Sequence, residues 1–206
     1  MPTFYYAPGT CALASHIALE EAGAKYDAVR LSFKDNQQRS PEYLKINPKG
    51  RVPALVTERG ILTETPAILA YVAQTHPHAR LAPLDDPFTF AKIQALNSYL
   101  CSTVHPAHAH RVRGSRWADD PAAIEELKRK APQVVADCFE LIEAEMFVGP
   151  WAMGETYTIA DPYLYTLCTW WEGDSFDPKR APKLAAHRHR MAERPAVQRA
   201  LATEKA

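Results

Sequence analysis

Residues 3–80 change hydrophobic period every few positions, whereas everything after residue 87 keeps one helical period. Such a chain must build a small sheet-and-helix layer first and an all-helical body second. Residues 3–6 are short and aromatic, and the turn Ala7-Pro8-Gly9-Thr10 leads into a helix whose Leu13 and Ile17 share a face before Gly23 ends it. Residues 26–31 alternate as a second strand. Ser40-Pro41 caps and starts a short helix ending near Asn47-Pro48-Lys49-Gly50. Residues 54–57 and 61–62 flank Glu58-Arg59-Gly60 as a hairpin. Thr65 at the N-cap and Pro66 at the first helical position then open a helix to about Thr75, with Ile68, Tyr71 and Val72 inward. The expected order is βαβαββα.

Pro77, Pro83 and Pro87 interrupt any sustained period, so a first domain is expected over 1–80, a linker over 81–87 and a helical domain over 88–206. In the helical part Ile93, Leu96, Leu100 and Val104 mark one buried face, Ile124 and Leu127 a second, and Val134, Cys138 and Leu141 continue it. Pro132 is expected to kink or split that second helix. Thr158-Ile159-Ala160-Asp161 has the spacing of a capping box, with Asp161 in place of Glu or Gln, and Tyr163, Leu164, Leu167 and Trp170 follow as a buried face. Residues 184–191 and 195–201 complete the helices.

Composition narrows the function. A chain of 206 residues buries enough surface to fold without staples. Its 24 Lys and Arg balance 24 Asp and Glu, so it lacks the basic field that holds a polyanion, and nucleic acid is not an expected partner. The 17 prolines outnumber the 8 glycines, which points to fixed turns and helix starts rather than flexible linkers. Cys11, Cys101, Cys138 and Cys168 lie too far apart for a C-x-x-C motif or a disulfide framework and are expected to be reduced thiols. The first residues lack the basic start and apolar run of a signal peptide, and no segment reaches the roughly 20 apolar residues of a membrane span. A soluble, cytoplasmic protein is expected.

Four places could carry chemistry. Cys11 follows a Pro-Gly turn at a helix start, where backbone N–H groups and the macrodipole favour a thiolate; a small buried core residue is the bland alternative. At Arg51-Val52-Pro53 a cis bond would turn the Val52 backbone outward to pair with an extended peptide, while a trans proline would merely begin a strand. Thr63-Glu64-Thr65-Pro66 puts a carboxylate beside a hydroxyl at a helix start, so an amino acid's ammonium and carboxylate could both be met there; a solvated Glu beside a cap accounts for the same spacing. Cys101, His105 and His108 could share a helix face, but no carboxylate joins them and Pro106 intervenes, so a metal is not expected. His105 can instead offer an N–H to a thiolate or a substrate, or make a polar interdomain contact. Tyr5, Tyr6, Trp170 and Trp171 could line an apolar pocket, although such aromatics also build cores.

In combination these segments resemble the cytosolic glutathione transferases, most closely the bacterial beta class. The resemblance rests on residues 4–19 (Phe4-Tyr5-Tyr6-Ala7-Pro8-Gly9-Thr10-Cys11 and the helix after it), on Asn47-Pro48-Lys49-Gly50-Arg51-Val52-Pro53-Ala54-Leu55, on Leu62-Thr63-Glu64-Thr65-Pro66-Ala67-Ile68 and on Thr158-Ile159-Ala160-Asp161, in family order. It implies an α/β thioredoxin-like N-terminal domain, an all-α C-terminal domain and a homodimer. It further implies that Pro53 is cis and that Val52 pairs with the cysteinyl backbone of glutathione. Glu64 and Thr65 would hold the γ-glutamyl end, with Arg51 and Thr10 at the edge of the tripeptide. Cys11 and His105 would meet the sulfur, with Tyr5 a third candidate for that role, and the second substrate would lie against Tyr5, His108 and Trp170. Two positions depart from the family pattern: Pro66 follows the hydroxyl where a small residue is usual, and Ser98 stands where beta-class relatives often carry an asparagine, with Asn97 one position away.

The implied activity is conjugation of glutathione, as thiolate, to small hydrophobic electrophiles in bacterial detoxification, with glutathione as co-substrate and no metal. Glutathione-dependent thiol-disulfide exchange or peroxidase chemistry through Cys11 is a competing activity. A non-catalytic protein that binds hydrophobic ligands or other proteins on the same fold is a third reading.

Overall fold

The structure, a computed structural model, describes residues 1–205; residue 206, the end of the expected helical domain, lies outside the described residues. It divides into two compact units, Met1–Ala91 together with the segment beginning at Met191, and Lys92–Arg190.

The first unit holds β1 (Thr3–Tyr6), α1 (Ala12–Glu21), β2 (Asp27–Arg30), α2 (Pro41–Ile46), β3 (Ala54–Thr57), β4 (Gly60–Thr63) and α3 (Thr65–Thr75). The four strands form one sheet in the order β2-β1-β3-β4. β1 runs parallel to β2, as a strand-helix-strand crossover requires, and antiparallel to β3, with Phe4 opposite Leu55. The hairpin pairs Leu55 with Leu62, and Thr57 Oγ1 closes it by donating to the Gly60 carbonyl at 2.8 Å. This is the thioredoxin-like arrangement that the resemblance implies.

Pleating divides the sheet's faces. Phe4 and Tyr6 are buried beside His16 of α1, while Tyr5 points the other way, its ring centroid 5.6 Å from Tyr43 of α2. α1 is enclosed on every side: residues 12–19 are all buried, against α3, β1 and a last helix, α10 (Pro195–Lys205). α10 therefore clusters with the first unit, and the division between units falls within α4 (Pro87–Tyr99). α2 starts as expected, with Ser40 Oγ accepting the Tyr43 N–H at 3.2 Å. α3 differs by one position from expectation: Glu64 is its N-cap and Thr65 its first residue, because the Glu64 carbonyl already accepts the Ile68 N–H at 3.1 Å.

The second unit continues from α4 into a π-helical turn, Leu100–Val104, and then α5 (His105–Arg113), α6 (Pro121–Leu141), a second π-helical turn (Ile142–Met146), α7 (Ala160–Cys168), α8 (Trp171–Asp174) and α9 (Pro182–Ala192), the last reaching just past the division. Pro132 does not split α6. The bond it removes would have been accepted by Lys128 on an exposed stretch, while Ala131, Val135, Ala136 and Phe139 bury the opposite face. The expected continuous helix through Val104 is instead widened before His105, whose N–H reaches five residues back to the Leu100 carbonyl. Pro106, which lacks an N–H, is the local reason. One half of the expected capping box is present: Asp161 reaches back to the Thr158 N–H at 2.7 Å, while Thr158 Oγ1 accepts the Ala160 N–H at 3.3 Å; Asp161 also accepts the Ala152 N–H at 2.7 Å, with His187 Nε2 at 2.9 Å. Both Asp161 and His187 are fully buried. Among the described residues no helix is long and apolar enough to cross a membrane.

One buried group gives the first unit a pH dependence. His16 is fully buried among Phe4, Tyr6 and Tyr26, and neither ring nitrogen has a hydrogen-bond partner among the described residues. Burial pulls its pKa down from 6.5 to about 4, with Glu20 opposing weakly. The folded state thus binds fewer protons than the unfolded state between those two values, so stability is full above pH 6.5 and falls as pH drops toward 4. The slope is about 1.4 kcal/mol per pH unit. His16→Phe is expected to flatten the decline in melting temperature between pH 6.5 and 4.5; an unchanged decline would assign the acid sensitivity elsewhere.

Candidate active site

Three loops of the first unit carry the candidate residues, the first of them at the head of α1. The turn before it is closed by Thr10, whose Oγ1 donates to the Ala7 carbonyl at 2.7 Å and accepts the Ala12 N–H at 3.3 Å. Gly9 takes φ +69°, a left-handed conformation that costs glycine least. Cys11 then stands as N-cap, partly exposed, where the macrodipole of α1 favours negative charge. Its Sγ lies 3.5 Å from the Val52 carbonyl. The bond between Val52 and Pro53 is cis, as the resemblance implies. Val52 precedes β3, whose first paired residue is Ala54, so the sheet makes no demand on the Val52 N–H.

That bend is held from behind. The Arg51 carbonyl accepts both the Tyr43 hydroxyl at 2.7 Å and Asn47 Nδ2 at 2.6 Å. Burial pushes the Tyr43 pKa up to about 12, which keeps the phenol protonated as a donor at neutral pH. Asn47 is itself buried, and its Oδ1 accepts the Lys49 N–H. Gly50 has φ +59° and no room for a side chain, since a Cβ would come within 2.8 Å of Arg39 Nη1 and 2.9 Å of the Gln38 carbonyl. With the Arg51 carbonyl fixed from both sides, the Arg51 side chain is exposed.

The third loop joins β4 to α3. Glu64 has φ +76°, a conformation that a non-glycine residue adopts only where its surroundings impose it. Its carboxylate is exposed and is paired with the Lys49 ammonium, which also donates to Thr63 Oγ1 at 2.8 Å; Thr65 is buried beneath. Lys49 escaped the sequence reading because the residues it bridges lie 14 and 15 positions away. Tyr5 contacts Tyr43 and so supports α2 and the Arg51 clamp.

The second unit carries its own polar cluster. His105 heads α5, and His108 lies one turn on; their rings pack on Trp170 at 5.1 and 4.3 Å, His108 nearly parallel to it. His108 Nδ1 lies 2.7 and 2.8 Å from the two oxygens of Asp174, which is buried and also accepts Arg111 Nε at 2.8 Å. A carboxylate held by Arg111 accepts the Nδ1 proton and leaves Nε2 as the free edge of the ring. Asp174 was not legible in advance, since it lies 66 residues from His108. Of the other cysteines, Cys138 and Cys168 are buried, and desolvation raises both thiols. Among the described residues no three His, Cys, Asp or Glu side chains form a group that could hold a metal ion.

The family model for the glutathione S-transferase N-terminal domain matches residues 1–74. Glutathione S-transferase GstA of Escherichia coli O157:H7 is 34% identical over 203 residues, 97% of each chain. The solved structure of a glutathione transferase homologue from Sulfitobacter, with bound glutathione, is similar with a TM-score of 0.95 and 43% identity over 98% of each chain. A bacterial beta class glutathione S-transferase from Sphingomonas chungbukensis gives 0.85 and 33%, again over 98% of each. With identity sustained along nearly the whole of both sequences, the chain belongs to the glutathione S-transferase family.

Proposed function

We propose that the chain binds glutathione through its first unit and activates the thiol as thiolate for attack on small hydrophobic electrophiles. The observation that carries this reading is Cys11 Sγ standing 3.5 Å from the Val52 carbonyl, at a backbone edge that β3 leaves unpaired. An extended peptide pairing with Val52 would bring its own cysteinyl sulfur to Cys11. The γ-glutamyl ammonium would take the Glu64 oxygen that Lys49 occupies, and its carboxylate would meet Thr65 at the start of α3. Thr10 and Arg51 border the tripeptide. Cys11 is preferred over Tyr5 as the thiol's neighbour because the Tyr5 ring is engaged with Tyr43.

A hydrogen bond from Cys11 and the α1 dipole would each favour the thiolate. Lowering the glutathione pKa by about 2 corresponds to roughly 2.7 kcal/mol. The thiolate sulfur then attacks the electrophilic carbon. A carbon–sulfur bond forms, the leaving group departs with its electron pair, and the thiol proton passes to solvent. In the second unit, Trp170 and the Asp174-oriented His108 are the candidates for meeting an apolar body and a polar substituent. The same reading makes the protein a cytoplasmic homodimer that uses glutathione as co-substrate and needs no metal.

Glu64→Ala is expected to weaken glutathione binding about 10- to 100-fold, as loss of a hydrogen bond to a charged group does, with conjugation to a chloronitroaromatic falling in parallel. Unchanged binding would remove Glu64 from the site. The cysteine at this position also favours a second activity, in which the Cys11 thiolate attacks one sulfur of glutathione disulfide, forms the mixed disulfide and releases glutathione thiolate. Mass spectrometry after incubation with glutathione disulfide is expected to place the adduct on Cys11. A Cys11→Ala variant with full reductase activity would eliminate that second reading.

A further inference from the structure

The end of α10 reaches the turn in front of Cys11. Glu204 is 7% exposed, and its Oε2 accepts the Gly9 N–H at 3.0 Å; the other oxygen is buried with no partner among the described residues. One residue earlier, the Thr203 carbonyl accepts the Tyr6 hydroxyl at 3.2 Å. Two consecutive residues of α10 therefore hold both ends of the segment between β1 and the left-handed Gly9. Toward the start of α10 Arg199 pairs with Glu20, and Arg194, just before the helix, pairs with Glu21, so α10 is fixed against α1.

A carboxylate is a costly way to pack a helix. Its burial raises the Glu204 pKa, and only the Gly9 N–H and Arg30 oppose the rise. Elsewhere α10 buries Val197 and Ala200 completely, so an apolar side chain suits its inner face. What Glu204 supplies, and an apolar residue would not, is an acceptor for one backbone amide in the turn that sets the head of α1.

We propose that Glu204 is a positioning residue for Cys11: by holding the Gly9 amide it fixes the turn that places the thiol at the helix N-terminus. α10 thereby becomes part of the active-site scaffold. The proposal rests on the reading above that Cys11 works at the glutathione sulfur, but the thiol's own reactivity tests it without glutathione.

Three variants separate the possibilities. Glu204→Ala removes the acceptor, Glu204→Asp keeps the charge one methylene short of Gly9, and Glu204→Gln loses the charge but keeps an oxygen to accept the N–H. Alkylation of Cys11 by iodoacetamide at pH 7, resolved by peptide mass spectrometry, is the readout, with melting temperature recorded alongside. The Ala and Asp variants are expected to slow Cys11 alkylation about three-fold or more, and Gln to remain near wild type. If Glu204→Ala fails to fold, the contrast between Asp and Gln decides. Wild-type alkylation in both Ala and Asp alongside a lowered melting temperature would overturn the proposal, as would a Gln variant that behaves like Ala. Slowed alkylation together with unchanged glutathione binding in Glu64→Ala would leave the positioning role standing and bring down the binding reading instead.

Discussion

The first unit is organised by the complete burial of α1. Eight consecutive residues, 12–19, are removed from water, among them Leu13, Ile17 and Leu19, each worth roughly 1.5–3 kcal/mol on burial. A helix enclosed on all sides has only its ends to offer for chemistry. Gly23, at φ +61°, turns the chain away at one end, and Cys11 stands at the other, at the positive end of the helix dipole. The sheet, α3 and α10 create that enclosure, so the thiol's setting is a consequence of packing and not of the loop alone. His16 shows what the enclosure costs: an imidazole with no hydrogen-bond partner among the described residues, held neutral, that must be charged at acid pH.

Much of the first unit was legible because its signals are local. Ser40-Pro41 and the Glu58-Arg59-Gly60 turn are each complete within a few residues, and each stands where the sequence puts it. Pro53 was ambiguous on its own residues, since a strand start and a cis bend look alike, and only the motif around it pointed to cis. The Thr65 cap was displaced by one position because the Glu64 carbonyl, in an unusual backbone conformation, accepts the first helical bond. Pro132 was read as a breaker without knowing that its missing bond would fall on the exposed side of α6.

What was not legible is long-range. Lys49 bridging to Thr63 and Glu64, Asp174 orienting His108, and α10 returning to the first unit all join residues that no window of sequence places together. The turn before Cys11 is held from nearly two hundred positions away. The π-helical turn before His105 had a signal, Pro106, whose effect is to widen the helix one residue upstream of itself. Neutral net charge, at first only a reason to set nucleic acid aside, is consistent with a site built for a small zwitterion, with one exposed carboxylate at Glu64 and backbone groups at Val52.

The central claim is that a bound peptide's sulfur meets Cys11 at the Val52 edge. A crystal structure with glutathione tests it most directly. The account predicts the cysteinyl backbone paired with Val52 and the glutathione sulfur within about 4 Å of Cys11 Sγ, the reach of a hydrogen bond involving sulfur. A sulfur whose nearest side chain is Tyr5, or a tripeptide bound away from Val52, would contradict it.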